Sequence, residues 1–225
     1  SDMPTASSLA PLYRAAAVLE LDRLAIEDAG IPGAELMRRA GTAAFEVLRE
    51  RWPRARRVLV LSGSGNNGGD GFVVATLAAR AGLEVVLCLL GDATRTSADT
   101  HHHAERAAAA GVTPQAFDDG LPAACDVVVD GLLGTGLDRD VAGDHARVIR
   151  AVNRGARGVL ALDIPSGLHA DTGTVLGTAV HADCTVTFIG RKQGLYTGAA
   201  AACCGDIVFA DLDVPAADED AVPAD

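Results

Sequence analysis

Aromatic residues are scarce in this chain of 225 residues. Phe, Tyr and Trp together make up 4% of the sequence, with a single Trp. Hydrophobic residues nevertheless reach 49%, and most of them are Ala, Val and Leu. A core of small aliphatic side chains is typical of helices and strands that pack in layers. The length is sufficient for one domain with a substantial core.

The sequence also lacks the features of several functional classes. It contains no hydrophobic run long enough to span a membrane and no secretory signal pattern. Its 19 Lys and Arg residues against 30 Asp and Glu give a net charge of -11, which disfavours nucleic-acid binding. Its five cysteines include no Cys-x-x-Cys pair. We therefore expect a cytoplasmic protein with reduced thiols that binds neither nucleic acid nor membrane.

Strand-like and helix-like segments alternate from residue 57 onward. Strands are predicted at 57–61, 84–90, 112–117, 126–130, 158–163, 185–189 and 207–212. Helices are predicted at 71–81, 97–110 and 143–154, after two N-terminal helices at 9–29 and 34–51. The alternation predicts a Rossmann-like three-layer α/β/α sandwich with a mostly parallel central sheet. We expect a disordered lead or cloning remnant at 1–8, one domain at 9–215 and an acidic tail or linker at 216–225.

A glycine-rich turn connects the first of these strands to the next helix. It reads Gly-Ser-Gly-Asn-Asn-Gly-Gly-Asp-Gly at residues 63–71. Glycine lets a ligand approach the backbone, and the amides of a helix N-terminus suit a phosphate group. The spacing of Gly63, Gly65 and Gly68 also fits the dinucleotide fingerprint of a dehydrogenase, with Asp92 near the end of the next strand. The plainest alternative is a tight turn with Asp70 as the helix cap.

Two further polar loops follow predicted strands. Residues 130–140 begin with Asp130 and contain Gly-Thr-Gly, and residues 163–167 read Asp-Ile-Pro-Ser-Gly. Ligands of open parallel sheets bind beyond the carboxyl ends of the strands. An acidic residue there, such as Asp130 or Asp163, is a candidate for catalysis or for binding a cation.

Three consecutive histidines, residues 101–103, fall on a predicted helix. Successive helical side chains point about 100° apart, so the three cannot converge on one metal ion. We expect a solvated helix face, on which His101 and Glu105 share one side.

Taken together and in this order, the three loop motifs resemble the YjeF N-terminal domain family. Residues 21–27 and 36–41 are similar to the opening helices of that family, and residues 191–195 to its late Lys-x-Gly-Leu segment. The resemblance extends over residues 9–215. It implies a Rossmann-like sandwich, a homodimer, one potassium ion per site and NAD(P)H-hydrate epimerase activity, which is an isomerase reaction.

The substrates implied by the resemblance are NADHX and NADPHX, reduced nicotinamides hydrated at C6 of the ring. The epimerase interconverts their R and S forms. An S-specific dehydratase, fused to the epimerase in some family members, then restores the cofactor, so the two activities together repair nicotinamide nucleotides.

The resemblance also implies roles for individual residues. Asn67, Asp130 and Ser166 match the potassium ligands, and all three offer the hard oxygens that suit an alkali cation. The residues expected to contact the substrate are Asn66, Asn67, Gly68, Gly69, Asp70, Gly134, Thr135, Gly136, Leu137, Asp138, Arg139, Asp140 and Asp163. We predict Asp163 as the catalytic group that exchanges protons with the substrate. Lys192 is either a ligand for the anionic substrate or a solvated surface lysine.

Two alternative functions remain at this stage. One is an NAD(P) dehydrogenase, based on the Gly63-x-Gly65-x-x-Gly68 match. The other is a non-catalytic scaffold of the same fold that binds nucleotides or protein partners. The scaffold is disfavoured by the presence of all four residues Asn67, Asp130, Asp163 and Ser166.

Overall fold

The computed structural model describes residues 11–214, which form a central sheet with helices on both faces. The strands are β1 (Leu12–Tyr13), β2 (Arg57–Ser62), β3 (Glu84–Leu89), β4 (Val127–Gly131), β5 (Val159–Leu162), β6 (Cys184–Phe188), β7 (Arg191–Lys192) and β8 (Asp206–Ala210). The helices are α1 (Ala15–Glu27), α2 (Gly33–Arg51), α3 (Asn66–Arg80), α4 (Ala98–Ala109), α5 (Leu121–Ala124), α6 (Gly143–Gly155) and α7 (Ala200–Cys204). Short 3-10 turns lie at Ala93–Arg95 and Gln193–Tyr196.

The central sheet has six parallel strands in the order β3-β2-β4-β5-β6-β8. Its strands are continuous apolar runs because both faces are covered. Val58 and Val60 pack beneath α2, α3 and α4, whereas Leu59 and Leu61 pack against α5 and α6. The predicted Rossmann-like parallel sandwich is therefore confirmed.

A second, two-stranded sheet joins the start of the described chain to its late segment. β1 pairs in parallel with β7, so that Tyr13 lies opposite Lys192. The prediction of one helix over 9–29 is wrong at its start, because the backbone at 12–13 bonds to β7 and α1 begins only at Ala15. The backbone N–H of Ala15 donates to Asp171 Oδ1 over 2.7 Å, which satisfies one free amide of the new helix.

The glycine-rich segment is also more helical than predicted. α3 begins at Asn66 rather than at residue 71, because its glycines permit close packing. A Cβ on Gly68 would lie 1.9 Å from the carbonyl oxygen of Gly63, and one on Gly69 would lie 2.3 Å from Met37 Sδ. The segment therefore provides both a turn and a helix that approaches its neighbours closely.

Smaller departures concern short elements and the histidines. Residues 112–117 form no strand, and only an isolated bridge joins Pro114 to Leu87. α5, α7 and β7 were not predicted. His103 is buried, with Nε2 2.8 Å from the carbonyl oxygen of Ala34, so the solvated-face prediction is wrong for this histidine. His101 does lie 3.1 Å from Glu105 at the surface.

Three expectations from the sequence concern the two chain ends, the state of the cysteines and the presence of membrane-spanning helices. The predicted lead at 1–8 and tail at 216–225 lie outside the described residues. All five cysteines are buried free thiols. Between residues 11 and 214, no helix combines the length and the apolar character needed to cross a membrane.

Candidate active site

A cavity of about 740 Å³ opens at the carboxyl ends of the central strands. This is where open parallel sheets bind their ligands, and the volume is in the usual range of small-molecule sites. α1 and α2 form one wall, and the N-terminus of α3 and the loop after β4 form the others. Asp163 and Lys192 also line the cavity.

Several predicted substrate contacts reach this cavity and others do not. The lining residues among those predicted are Asn66, Asn67, Asp70, Gly134, Thr135, Gly136, Leu137, Asp138, Arg139 and Asp163. Gly68, Gly69 and Asp140 do not line it. Gly68 and Gly69 are buried, because they pack α3 against the Gly63 backbone and against α2.

The three predicted potassium ligands come together in one buried cluster, which we call the Asp130 cluster. Asp130 on β4 is fully buried. Ser166, in the loop after β5, donates its backbone N–H to Asp130 Oδ2 over 2.8 Å and its hydroxyl to Oδ1 over 2.6 Å. Burial raises the pKa of Asp130 to about 6, and the hydrogen bonds from Ser166 and Leu132 oppose that shift.

Asn67 completes this cluster. Its Nδ2 donates to the carbonyl oxygen of Leu133 over 3.1 Å. Its Oδ1 is buried and has no hydrogen-bond partner among the described residues. A buried acceptor without a donor costs about 1–3 kcal/mol, so its presence indicates an additional ligand. Ser166 Oγ lies 3.3 Å from the same Leu133 carbonyl oxygen, which links Asn67 to the cluster. The amide oxygen of Asn67, the carboxylate and the hydroxyl make an all-oxygen set, which fits an alkali cation.

Asp163 lies directly after β5, and its environment differs from that of Asp130. Its φ of +67° places a non-glycine residue in the left-handed region, a strain that is common at functional sites. Its Oδ1 accepts hydrogen bonds from Thr187 Oγ1 and from the Phe188 N–H, each over 3.1 Å. Lys192 Nζ donates to the same oxygen.

Lys192 is buried, with 1% of its side chain exposed. The alternative of a solvated surface lysine is therefore wrong. Its burial depends on the pairing of β7 with β1 and on the charge of Asp163. The sequence carries no local signal for either feature, because both involve residues far apart in the chain.

Two further carboxyl groups face Asp163 across the cavity. The pKa of Asp70 on α3 is raised well above its usual value, first by burial and then by the charges of Asp163 and Asp22. The pKa of Asp22 on α1 is also raised, by burial and by the charge of Asp163, while the charge of Lys192 opposes the shift. Sequence reasoning missed Asp22 as a site residue because it resembled a surface charge on an amphipathic helix. We call Asp22, Asp70, Asp163 and Lys192 the Asp163 cluster.

His145 at the start of α6 is another lining residue that the sequence did not reveal. Burial lowers its pKa, which favours the neutral imidazole. Asp92, which the dehydrogenase alternative places near a ribose, caps its own turn by accepting the N–H of Thr94 over 2.9 Å. It does not line the cavity.

Comparison with known families gives a match over most of the chain. Residues 33–194 match the model of the family described as YjeF-related protein N-terminus. This segment contains the Asp130 cluster and three of the four residues of the Asp163 cluster.

Named relatives are similar over most of this chain. It is 38% identical over 190 residues to the NAD(P)H-hydrate epimerase of Limosilactobacillus fermentum, covering 84% of this chain and 91% of that protein. It is 45% identical over 197 residues to the bifunctional NAD(P)H-hydrate repair enzyme Nnr of Coxiella burnetii. That match covers 88% of this chain but 40% of the bifunctional protein.

The fold is also similar to a solved structure. The crystal structure of yeast ynu0, YNL200c, superposes with a TM-score of 0.73 at 17% identity, covering 82% of this chain and 83% of the yeast protein. At this identity the likeness concerns the fold alone. From the family match and the relatives of similar length, the chain belongs to the YjeF-related protein N-terminus family.

Proposed function

We propose that this chain is an NAD(P)H-hydrate epimerase, an isomerase that interconverts the R and S epimers of NADHX and NADPHX in nicotinamide nucleotide repair. The relatives of similar length bear this name. The observation that carries the proposal is the Asp163 cluster, in which an ion-paired, conformationally strained carboxylate faces a cavity. A surface that served only as a scaffold would have no need of this arrangement.

The chemistry requires proton exchange at the C6 hydroxyl of the hydrated ring. The ring nitrogen supplies an electron pair, and the hydroxyl leaves as water once it has received a proton. Water then adds to either face of the planar iminium ion and returns a proton to the protein. Alternatively, the hydroxyl gives its proton to the protein as the C6–N1 bond breaks, which leaves an aldehyde at C6 while N1 takes up a proton. The reverse steps close the ring on either face of the aldehyde. Both routes need an acid-base group beside C6.

The described residues supply such groups in two different environments. Asp163 is ion-paired with Lys192 and lines the cavity, and we assign it the role of the base. The raised pKa of Asp70 favours its protonated form, which makes Asp70 a proton donor in the same cavity. Two carboxyl groups whose environments differ in this way are a recurring means of providing an acid and a base together.

We propose that the Asp130 cluster binds potassium. Its support is the buried Asn67 Oδ1 without a partner and the all-oxygen composition of Asn67, Asp130 and Ser166. A bound cation would supply positive charge near the cavity, and the cluster would hold the loops after β4 and β5 together. Leu133 N–H donates to Ser166 Oγ over 2.9 Å, which already links these loops.

We also propose that the protein is a homodimer and that it is cytoplasmic. The first proposal is supported by the family resemblance and the second by the sequence composition. We further propose a functional partnership with an S-specific dehydratase, which is supported by the relatives from Coxiella burnetii and Escherichia coli, since both are named bifunctional NAD(P)H-hydrate repair enzymes and this chain covers 40% and 37% of their lengths.

A coupled assay tests the proposed activity. A mixture of R- and S-NADHX is first treated with an S-specific dehydratase and its nucleotide until NADH absorbance reaches a plateau. This protein is then added in potassium or in sodium buffer. We expect a second rise in absorbance that is faster than spontaneous epimerisation and faster in potassium. A flat trace from folded protein would refute the epimerase proposal, and equal rates in both buffers would refute the potassium proposal.

A further inference from the structure

The ammonium group of Lys192 has no hydrogen available for a substrate. An ammonium group has three donors, and Lys192 Nζ has three acceptors. These are Asp163 Oδ1, Thr187 Oγ1 at 3.2 Å and the carbonyl oxygen of Phe188 at 2.8 Å. Its role therefore lies in its effect on Asp163 rather than in binding a phosphate.

The two oxygens of the Asp163 carboxylate accept different numbers of hydrogen bonds. Oδ1 accepts from Lys192 Nζ, from Thr187 Oγ1 and from the backbone N–H of Phe188. Oδ2 accepts from no donor within residues 11–214. The Asp163 side chain is 19% exposed and lines the cavity, so a substrate can reach it.

The backbone fixes both members of this pair. Asp163 N–H donates to the carbonyl oxygen of Val186 over 2.6 Å, and its left-handed φ sets the direction of its side chain. Lys192 lies on β7, where the ladder to β1 places it opposite Tyr13. The lysine therefore approaches the carboxylate from a rigid element, which favours one orientation of the carboxylate.

We infer that Lys192 is a positioning residue that engages Oδ1 of Asp163 and fixes the orientation of the carboxylate, so that Asp163 exchanges protons with the substrate through Oδ2. The inference rests on the proposed epimerase function. Lys192 then makes no contact with the substrate, and Oδ2 is the oxygen of Asp163 that contacts the reacting group.

The charges around Asp163 make this positive group necessary. Asp22 on α1 and Asp70 on α3 face Asp163, and Lys192 is the cation in direct contact with it. The other titratable or charged residues that line the cavity are Asp99, Asp138, Arg139 and His145. Without the ammonium group, Asp163 would have no cation beside it among the described residues, and Oδ1 would lose the donor that orients the carboxylate.

The test compares Lys192→Met with Arg191→Met. The two substitutions remove one positive charge each from adjacent positions of β7, but Arg191 stacks on Phe209 instead of contacting Asp163. We expect Lys192→Met to lower kcat about 10-fold or more at a nearly unchanged KM, because the base loses its orientation while no contact with the substrate is removed. Arg191→Met should keep the wild-type kcat, and Lys192→Arg, which retains a donor, should recover part of the loss.

A thermal-unfolding cycle keeps the inference testable if Lys192→Met folds poorly. Removing one partner of a buried ion pair leaves an uncompensated charge, whereas removing both does not. The double variant Lys192→Met/Asp163→Asn should therefore have a higher melting temperature than Lys192→Met alone. If the shifts in melting temperature of Lys192→Met and of Asp163→Asn add up to the shift of the double variant, the two side chains are not coupled, and the pairing is overturned.

The outcomes separate this inference from the epimerase proposal. An active wild-type protein whose Lys192→Met variant keeps its kcat, or has a raised KM at an unchanged kcat, would overturn the inference alone. An inactive wild-type protein would refute the epimerase function and, with it, the assigned role of Oδ2. The unfolding cycle would still decide whether the ion pair holds Asp163.

Discussion

Asp130 and Asp163 lie at the carboxyl ends of two neighbouring strands, yet the protein neutralises their carboxyl groups in different ways. Asp130 is fully buried, and both of its oxygens accept hydrogen bonds from Ser166 or the Leu132 backbone. Asp163 is partly exposed and is paired with a buried ammonium group. The carboxyl group of Asp130 is enclosed by hydrogen-bond donors, whereas that of Asp163 is ion-paired and lines the cavity.

This difference separates a binding role from a chemical role at one edge of the sheet. The Asp130 cluster has an unpartnered oxygen, Asn67 Oδ1, that points to a cation. The Asp163 cluster has an oxygen free to exchange protons and neighbouring acids whose pKa values are raised. Substitutions in the first cluster should mainly change stability and cation dependence, whereas substitutions in the second should mainly change the reaction.

The largest expected effect is that of Asp163→Asn. The variant removes the base but keeps the size of the side chain, so we expect folded protein with epimerisation reduced about 100-fold or more. The coupled absorbance assay measures this rate. Asp119→Asn, an exposed carboxylate away from the cavity that lies 3.8 Å from Arg147, is the matched control and should stay within about 2-fold of wild type. Retention of more than one tenth of the activity by Asp163→Asn would contradict the assignment.

The next effect concerns the glycines that place Asn67. A Cβ at position 68 would lie 1.9 Å from the Gly63 carbonyl oxygen, whereas a Cβ at position 65 would meet no heavy atom within 4 Å. We expect Gly68→Ala to lower the free energy of unfolding by about 3 kcal/mol and Gly65→Ala by less than about 1 kcal/mol. Urea denaturation measures both. Equal losses would show that these glycines serve the turn rather than close packing.

A smaller effect is expected for Ser166→Ala. The substitution removes the hydroxyl that donates to Asp130 and accepts from the Leu133 N–H. The free energy of unfolding should fall by about 1–3 kcal/mol, and potassium chloride should no longer raise the melting temperature above that in sodium chloride. Thr42→Ala, whose hydroxyl bonds to a helix carbonyl at the surface, is the control and should keep any potassium response. A full potassium response in Ser166→Ala would contradict the proposed ligand set.

The smallest effect is a change in pH dependence for Asp70→Asn. The pKa of Asp70 is raised in the folded protein, so the folded state keeps its proton above pH 3.8 while the unfolded state loses it. Its contribution to stability therefore falls as pH rises from about 4 toward the folded pKa. Asn does not titrate, so the variant should gain stability relative to wild type over this range. Urea denaturation at about pH 4 and about pH 7 measures the two differences, and identical differences would contradict the raised pKa.

Much of this arrangement was predictable because local patterns specify it. Apolar runs such as residues 58–61 indicate strands buried on both faces, and their ends place Asp130 and Asp163 at one edge of the sheet. The family resemblance and the fold class were predicted and are confirmed by the comparisons. The epimerase activity is the proposal that the names of the relatives support, and the roles of single residues, the potassium ion and the dimer remain predictions.

The features that the sequence did not reveal depend on contacts between distant residues. Glycines at 68 and 69 resemble a loop in the sequence, but they are spacers within a helix that packs against Gly63 and Met37. The buried state of Lys192 requires a two-residue ladder to the N-terminal segment, which leaves no periodic signal. Asp22 joins the site only because α1 lies beside the cavity.

The separation of roles is tested most directly by a crystal structure of Asp163→Asn grown in rubidium chloride and soaked with NADHX. Rubidium replaces potassium and is located by its anomalous scattering. We predict a rubidium peak beside Asn67 Oδ1 and the Asp130 carboxylate, with the C6 hydroxyl of the ring next to residue 163. A cation beside residue 163, or a ring bound away from it, would contradict the account.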